Sequence, residues 1–155
     1  RLEELAEGTS FHRVLWDDAD PSKGGSGLKP DDKIRRVVMC SGKVYYDLLE
    51  SREAQRIDDV YLLRLEQLYP FPGKALSQEL SRFPNADMVW CQEEPQNMGA
   101  WLLAQSSLEH VLQNVNSKVA RVRYAGRPTS AATATGLLSK HNAEQKALVD
   151  AALTG

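Results

Sequence analysis

The feature that most constrains the fold is a unit that recurs four times: a short apolar, largely β-branched run followed by a helical stripe. Arg36-Val37-Val38-Met39-Cys40 leads through Ser41-Gly42 into a helix with Val44, Tyr45, Leu48 and Leu49 on one side. Val60-Tyr61-Leu62-Leu63-Arg64-Leu65 leads, across Tyr69-Pro70-Phe71-Pro72-Gly73, into a short helix marked by Leu76, Leu80 and Phe83. Residues 86–91 form the third run, ahead of a helix striped by Trp101, Leu108, Leu112 and Val115. Val119-Ala120-Arg121-Val122-Arg123-Tyr124 is the fourth, and a closing helix over residues 139–153 gathers Ala143, Ala147, Leu148 and Ala151 on one side. The switch between period 2 and period 3.6 is what separates strand from helix.

Strands joined by helices run parallel through right-handed crossovers, and helices then cover both faces of the sheet. Runs apolar at nearly every position agree, because such strands are buried on both sides. The predicted fold class is therefore α/β: a three-layer, open, mostly parallel sheet of about five strands. Residues 11–16 supply the fifth strand, expected to pair antiparallel at one edge.

The chain has 155 residues, which fits one domain. Two unequal regions are expected within it. Residues 1–33 hold the edge strand and a flexible loop, Pro21-Ser22-Lys23-Gly24-Gly25-Ser26-Gly27, whose Gly and Ser content predicts no fixed structure. Residues 34–155 hold the α/β domain. The start, Arg1-Leu2-Glu3-Glu4-Leu5, resembles neither a secretory signal nor an Arg-rich transit peptide and reads as a cut through a longer chain.

Charge excludes one class of partner. Lys plus Arg number 19 against 21 Asp plus Glu, a net charge of −2, too balanced for a nucleic-acid binder by bulk electrostatics. No apolar run is long enough to span a membrane. Cys40 and Cys91 both sit in apolar runs, where reduced structural thiols of a reducing compartment are expected.

Candidate chemistry concentrates after the strands, where α/β proteins place ligands. The stretch from Trp90 to Trp101 delivers Glu93 and Glu94 toward Asn97 and a helix start. Two adjacent carboxylates suggest acid, base or metal-ligand chemistry, but neighbours in an extended chain point to opposite sides and do not converge on one proton or ion. A structural role, accepting hydrogen bonds from backbone donors or a partner surface, is the favoured reading. Ser41-Gly42-Lys43 sits between a strand and a helix as a phosphate loop would. The P-loop pattern, however, needs Gly where Val37 stands and Ser or Thr where Val44 stands. That leaves a tight turn with Ser41 near the N-cap, or a weaker anion contact by Lys43.

His12, His110 and His141 are scattered, and neither zinc spacing nor a nucleophile elbow is present. From Val111 to Ala143 there is no Asp or Glu, while Lys118, Arg121, Arg123, Arg127 and Lys140 fall inside the span. On a strand Arg121 and Arg123 share a face, and with Arg127 they suit a phosphate-bearing ligand or an acidic partner. The competing reading is an ordinary solvated edge strand. The small-residue run 129–136 is expected to be a loop packed against another surface.

Four ordered segments carry a family resemblance: residues 36–48, Arg64-Leu65-Glu66-Gln67-Leu68-Tyr69-Pro70-Phe71-Pro72, residues 90–101, and Tyr124-Ala125-Gly126-Arg127-Pro128. Over nearly the whole chain they resemble the C-terminal end of 2-oxoglutarate dehydrogenases, the thiamine-dependent decarboxylating components of a multienzyme complex. The loop 21–33 is the least family-like part, and Thr133 stands where relatives often carry proline.

The resemblance implies a transketolase C-terminal-like domain. It also implies that thiamine diphosphate and magnesium are held by preceding domains, leaving this piece without catalytic residues, cofactor or metal of its own. It further implies a homodimer, a lipoyl-bearing succinyltransferase partner, and a bacterial cytoplasm or mitochondrial matrix as location. Glu93, Glu94, Asn97 and Trp101 become expected interdomain contacts, and Lys43, Arg121, Arg123 and Arg127 a candidate acyl-CoA or nucleotide effector site. The alternative is a stand-alone α/β module that binds a nucleotide or protein partner.

Overall fold

A computed structural model of the chain describes residues 8–115 and 117–155. The start at residues 1–5 lies outside them. The described residues form five strands and four helices, in the order β1 (Val14–Leu15), β2 (Arg36–Cys40), α1 (Val44–Ala54), β3 (Val60–Leu65), α2 (Gly73–Leu80), β4 (Asp87–Pro95), α3 (Trp101–Gln113), β5 (Arg123–Arg127) and α4 (Leu138–Leu153). The sheet order is β1-β3-β2-β4-β5, with every pair parallel except β1 against β3. This is the predicted open sheet with its antiparallel edge.

Alternation along the strands sorts the core into two layers. Val37, Met39, Tyr61, Leu63, Leu65, Met88 and Trp90 pack with Leu76 and Leu80 of α2 and Ala104, Leu108 and Leu112 of α3. Val38, Cys40, Leu62, Val89 and Cys91 face the other way, onto Val44 and Leu48 of α1 and Leu148, Val149, Ala152 and Leu153 of α4. β2 is buried at all five positions, which is why its sequence shows no polar face.

Three local expectations are corrected. The fourth run does not become a strand at residue 119: β5 begins at Arg123, opposite Val89. Residues 118–119 instead bind the connection, with the Lys118 amide donating to the Pro84 carbonyl at 2.9 Å and the Ser117 hydroxyl donating to the Val119 carbonyl at 3.1 Å. α4 turns Leu148, Val149, Ala152 and Leu153 inward. Ala143, Ala147 and Ala151 face out, because the sheet face takes the larger side chains.

The loop 21–33 is not without structure. It contains 3-10 turns at Pro21–Lys23 and Asp31–Lys33, the first capped by the Asp20 carboxylate on the Ser22 amide at 2.9 Å. Its glycines do not dominate, because the acids at either end of them share one partly buried partner, Arg82.

Candidate functional site

Parallel strands bring all their carboxyl ends to one edge, and here β2 and β4 end side by side, Cys40 opposite Cys91. β2 exits through Gly42, whose φ of 71° favours glycine. α1 then begins at Val44 with Lys43 as N-cap and no side-chain cap; Ser41, expected near this position, does not cap it. The Lys43 ammonium pairs with the Glu93 carboxylate and lies 4.0 Å from Asp47. Gln145 of α4 donates to both acids, at 3.1 Å and 2.7 Å. The hydrogen bond to Glu93 raises the Lys43 pKa above its usual range. Lys43 is largely exposed, so the pair contributes under about 1 kcal/mol. Its role is to set the direction of Glu93.

β4 runs further than its hydropathy implies, to Pro95, because β5 continues beside it. Between Cys91 and Pro95 it spends four steps where β5 spends two, from Ala125 to Arg127, so the ladder bulges. Gln92 sits in that bulge with 4% of its surface exposed. Its Oε1 accepts from the Trp90 indole at 3.0 Å and from the Trp101 amide at 2.9 Å. Its Nε2 donates to the carbonyls of Met98 at 2.8 Å, Pro95 at 3.2 Å and Glu94 at 3.3 Å. One amide thus wraps the turn around itself and satisfies the first backbone N–H of α3, whose N-cap, Ala100, has no capping side chain.

Around this amide the expected contact residues separate. Glu93 is half-buried against Lys43 and Gln145. Glu94 is exposed, forms no ion pair among the described residues, and has its carbonyl held by the Tyr124 hydroxyl at 2.9 Å. Asn97 clasps Ser130 twice, donating to its carbonyl and accepting from its amide, each at 3.0 Å. Trp101 is buried and packs at a tilt against Tyr124 at a ring distance of 5.1 Å, so its indole belongs to the core and not to an outer surface.

The four cations expected at an effector site do not form one patch. Arg127 and Lys43 both touch Glu93: the Arg127 Nε donates to its carbonyl at 2.7 Å. The other Arg127 donors reach the Thr133 carbonyl at 2.6 Å and the Thr135 hydroxyl at 3.2 Å, pinning the loop 129–136 from inside. Beside it lies a cavity of about 470 Å³ lined by Thr129, Ser130, Thr135, Leu137 and Lys140. Arg123 is four residues earlier on β5, about 13 Å away at strand rise. There it binds the Gly155 carbonyl just past α4 at 3.0 Å, beside Arg35 and Arg36, which take the last carbonyls of the helix, Leu153 at 2.7 Å and Ala152 at 3.0 Å. Cations at a helix C-terminus suit its dipole. Arg121 is exposed and precedes the strand, so it shares no strand face with Arg123.

Cys40 and Cys91 are free and buried, and burial pushes the Cys91 thiol up to about 12. Among the described residues no group of three or more His, Cys, Asp and Glu side chains converges as a metal site. Sequence reasoning missed Gln92 and Gln145. The one available signal was a neutral polar residue directly after the buried run Met88-Val89-Trp90-Cys91.

Fold and strand-exit geometry define an α/β open-sheet domain whose carboxyl edge is organised by structural hydrogen bonds and ion pairs. The chain belongs to the 2-oxoglutarate dehydrogenase C-terminal family, which it matches over residues 1–153. It is 63% identical over 153 residues to the 2-oxoglutarate dehydrogenase E1 component of Brucella anthropi, and equally to that of Brucella ovis. Each match covers 98% of this chain and 15% of the relative, so the chain spans about one-seventh of the length of these proteins.

Proposed function

We propose that this chain is the contact and regulatory C-terminal domain of a thiamine-dependent 2-oxoglutarate dehydrogenase, and that its carboxyl edge meets the rest of that polypeptide. One observation supports this above the others: among the described residues, the large exposed apolar side chains gather at that edge. Tyr46, Tyr69, Leu102, Leu103, Leu137 and Leu138 all lie between the end of a strand and the first turn of the next helix, with Tyr69 84% and Leu138 73% exposed. Phe11 and Trp16 flank β1, beside the carboxyl end of β3. Apolar surface concentrated on one side marks an interaction face. Glu93, Glu94 and Asn97 stand within it, and Trp101 fixes the helix start behind them.

In this reading the enzyme decarboxylates 2-oxoglutarate oxidatively and succinylates the lipoyl group of a partner transferase in the citric acid cycle, working as a homodimer in a bacterial cytoplasm. The bacterial relatives support that location over a mitochondrial matrix. Thiamine diphosphate and magnesium belong to the preceding domains.

The test uses the full-length protein. Leu102→Glu combined with Leu138→Glu should weaken assembly at least tenfold, about 1.4 kcal/mol, and lower turnover. Ala147→Glu, on the outward side of α4, should leave both unchanged. Wild-type assembly and turnover in the double variant would overturn the reading.

The effector expectation narrows to the carboxyl edge, where Arg127 and Lys140 line the 470 Å³ cavity and Lys43 stands near by. Arg121 and Arg123, at the far end of β5, are left as separate cations. Acetyl-CoA or an adenine nucleotide at about 100 times its dissociation constant should add about 2.7 kcal/mol of stability to the full-length enzyme. An unchanged thermal midpoint at millimolar ligand would remove the site.

A further inference from the structure

We infer that residues 16–31 form a strap that closes the open edge of β3 in place of a longer strand, and that Arg82 is its latch. β1 covers only Arg64 and Leu65. Further down the same edge the Leu62 amide points outward with no strand among the described residues beside it, and the Asp17 carboxylate takes its hydrogen bond at 2.8 Å. Arg52 of α1 grips that carboxylate with both Nη atoms, Nη2 at 3.0 Å, and also donates to the Val60 carbonyl at 3.1 Å. Asp17 and Arg52 are 0% and 3% exposed, so each depends on the other to offset its desolvation.

A second knot lies further along. The Arg82 guanidinium binds Asp20 through two nitrogens, at 2.8 Å and 3.1 Å, and Asp31 through two, at 3.0 Å and 2.9 Å. It also takes the Ser22 hydroxyl at 3.0 Å and the Glu79 carboxylate of α2. Tyr61 of β3 donates to Glu79 at 2.6 Å and lies 3.2 Å from Asp20. One planar fork therefore gathers both ends of the strap onto α2, a geometry an ammonium does not reproduce.

The strap carries no fully buried apolar side chain: its buried residues are Asp17 and Asp20, and Leu28 is only partly buried. Polar contacts hold it, so its opening is a local equilibrium separable from unfolding of the sheet. Opening uncovers the Leu62 amide, an unpaired donor on an edge of the kind that accepts an added strand.

Hydrogen exchange on the intact protein tests this, following the Leu62 amide against the amides of Val38 and Met39 in the central strand β2. Arg82→Gln should speed exchange at Leu62 at least tenfold while β2 keeps its wild-type rate. Arg82→Lys should act in the same direction, and Asp31→Asn, which leaves Asp20 bound, more weakly. An unchanged rate at Leu62 overturns the latch. Equal acceleration at Leu62 and β2, in Asp31→Asn as well as in the Arg82 variants, overturns a separable strap.

Discussion

Gln92 shows how much of a local structure a single neutral side chain can organise. Its amide binds two donors and three carbonyls within one turn while itself buried. Leucine fills the same space, but although the Glu94 and Pro95 carbonyls keep the Tyr124 hydroxyl and the Met98 amide, it leaves the Trp90 indole, the Trp101 amide and the Met98 carbonyl unpaired, and each buried orphan costs about 1–3 kcal/mol. Gln92→Leu should therefore destabilise the chain by at least about 3 kcal/mol, roughly 6–12 °C in thermal midpoint at this size. Calorimetry checks this, and a loss under about 1 kcal/mol would show that the turn stands without the amide. The sequence marked Glu93 and Glu94 because charges draw attention. It left Gln92 unmarked because hydrogen-bonding capacity has no periodicity, and its value depends on which carbonyls fold around it.

The strand-to-helix connections are where local rules and tertiary demands meet at the scale of the element. Gly42 and Gly99 both have positive φ, 71° and 65°. A Cβ at Gly42 meets nothing within 4 Å, whereas one at Gly99 falls 3.0 Å from the Glu94 Cβ and 3.1 Å from the Gln92 Nε2. Gly42→Ala should thus cost only the left-handed penalty, about 1–2 kcal/mol. Gly99→Ala should cost more, by about 1 kcal/mol or more of added crowding. Urea unfolding of the two variants compares them, and equal losses would mean that the Gln92 turn yields freely. Strand boundaries carry a related lesson. The run 119–124 has the composition of a strand, yet β5 starts at Arg123 because register against Val89, and not hydropathy, sets where pairing begins. The same pairing extends β4 through two glutamates that no apolar pattern could have included.

At the scale of the whole molecule the two ends of the sheet differ. One gathers exposed apolar groups around a polar centre, and the other ties three arginines to carbonyls at and just past the end of α4. The strap joins β3 to α2 through carboxylates, which makes the assembly acid-sensitive. Burial works to raise the Asp20 carboxyl, but hydrogen bonds from Arg82 and Ser22 outweigh it and hold the group below its ordinary 3.8. A carboxyl depressed in the folded state contributes fully above its unfolded value and loses that contribution as pH falls through the folded value. The thermal midpoint should therefore decline on acidification below about pH 4. Asp20→Asn should start lower and show a shallower decline, and parallel slopes for the two proteins would contradict the assignment.

Layer order, strand count, parallel pairing and the antiparallel edge were legible from the chain alone. They follow from apolar periodicity and chain connectivity, which are properties of neighbours in sequence. Only the tertiary structure decided that Arg123 and Arg127 lie at opposite ends of a strand, that the Gly/Ser-rich loop is a strap held by Arg52 and Arg82, and that Trp101 serves the core. Those outcomes rest on register and on ion pairs between residues 35 and 62 positions apart. The free energy of such contacts exists only once the layers have brought the partners together.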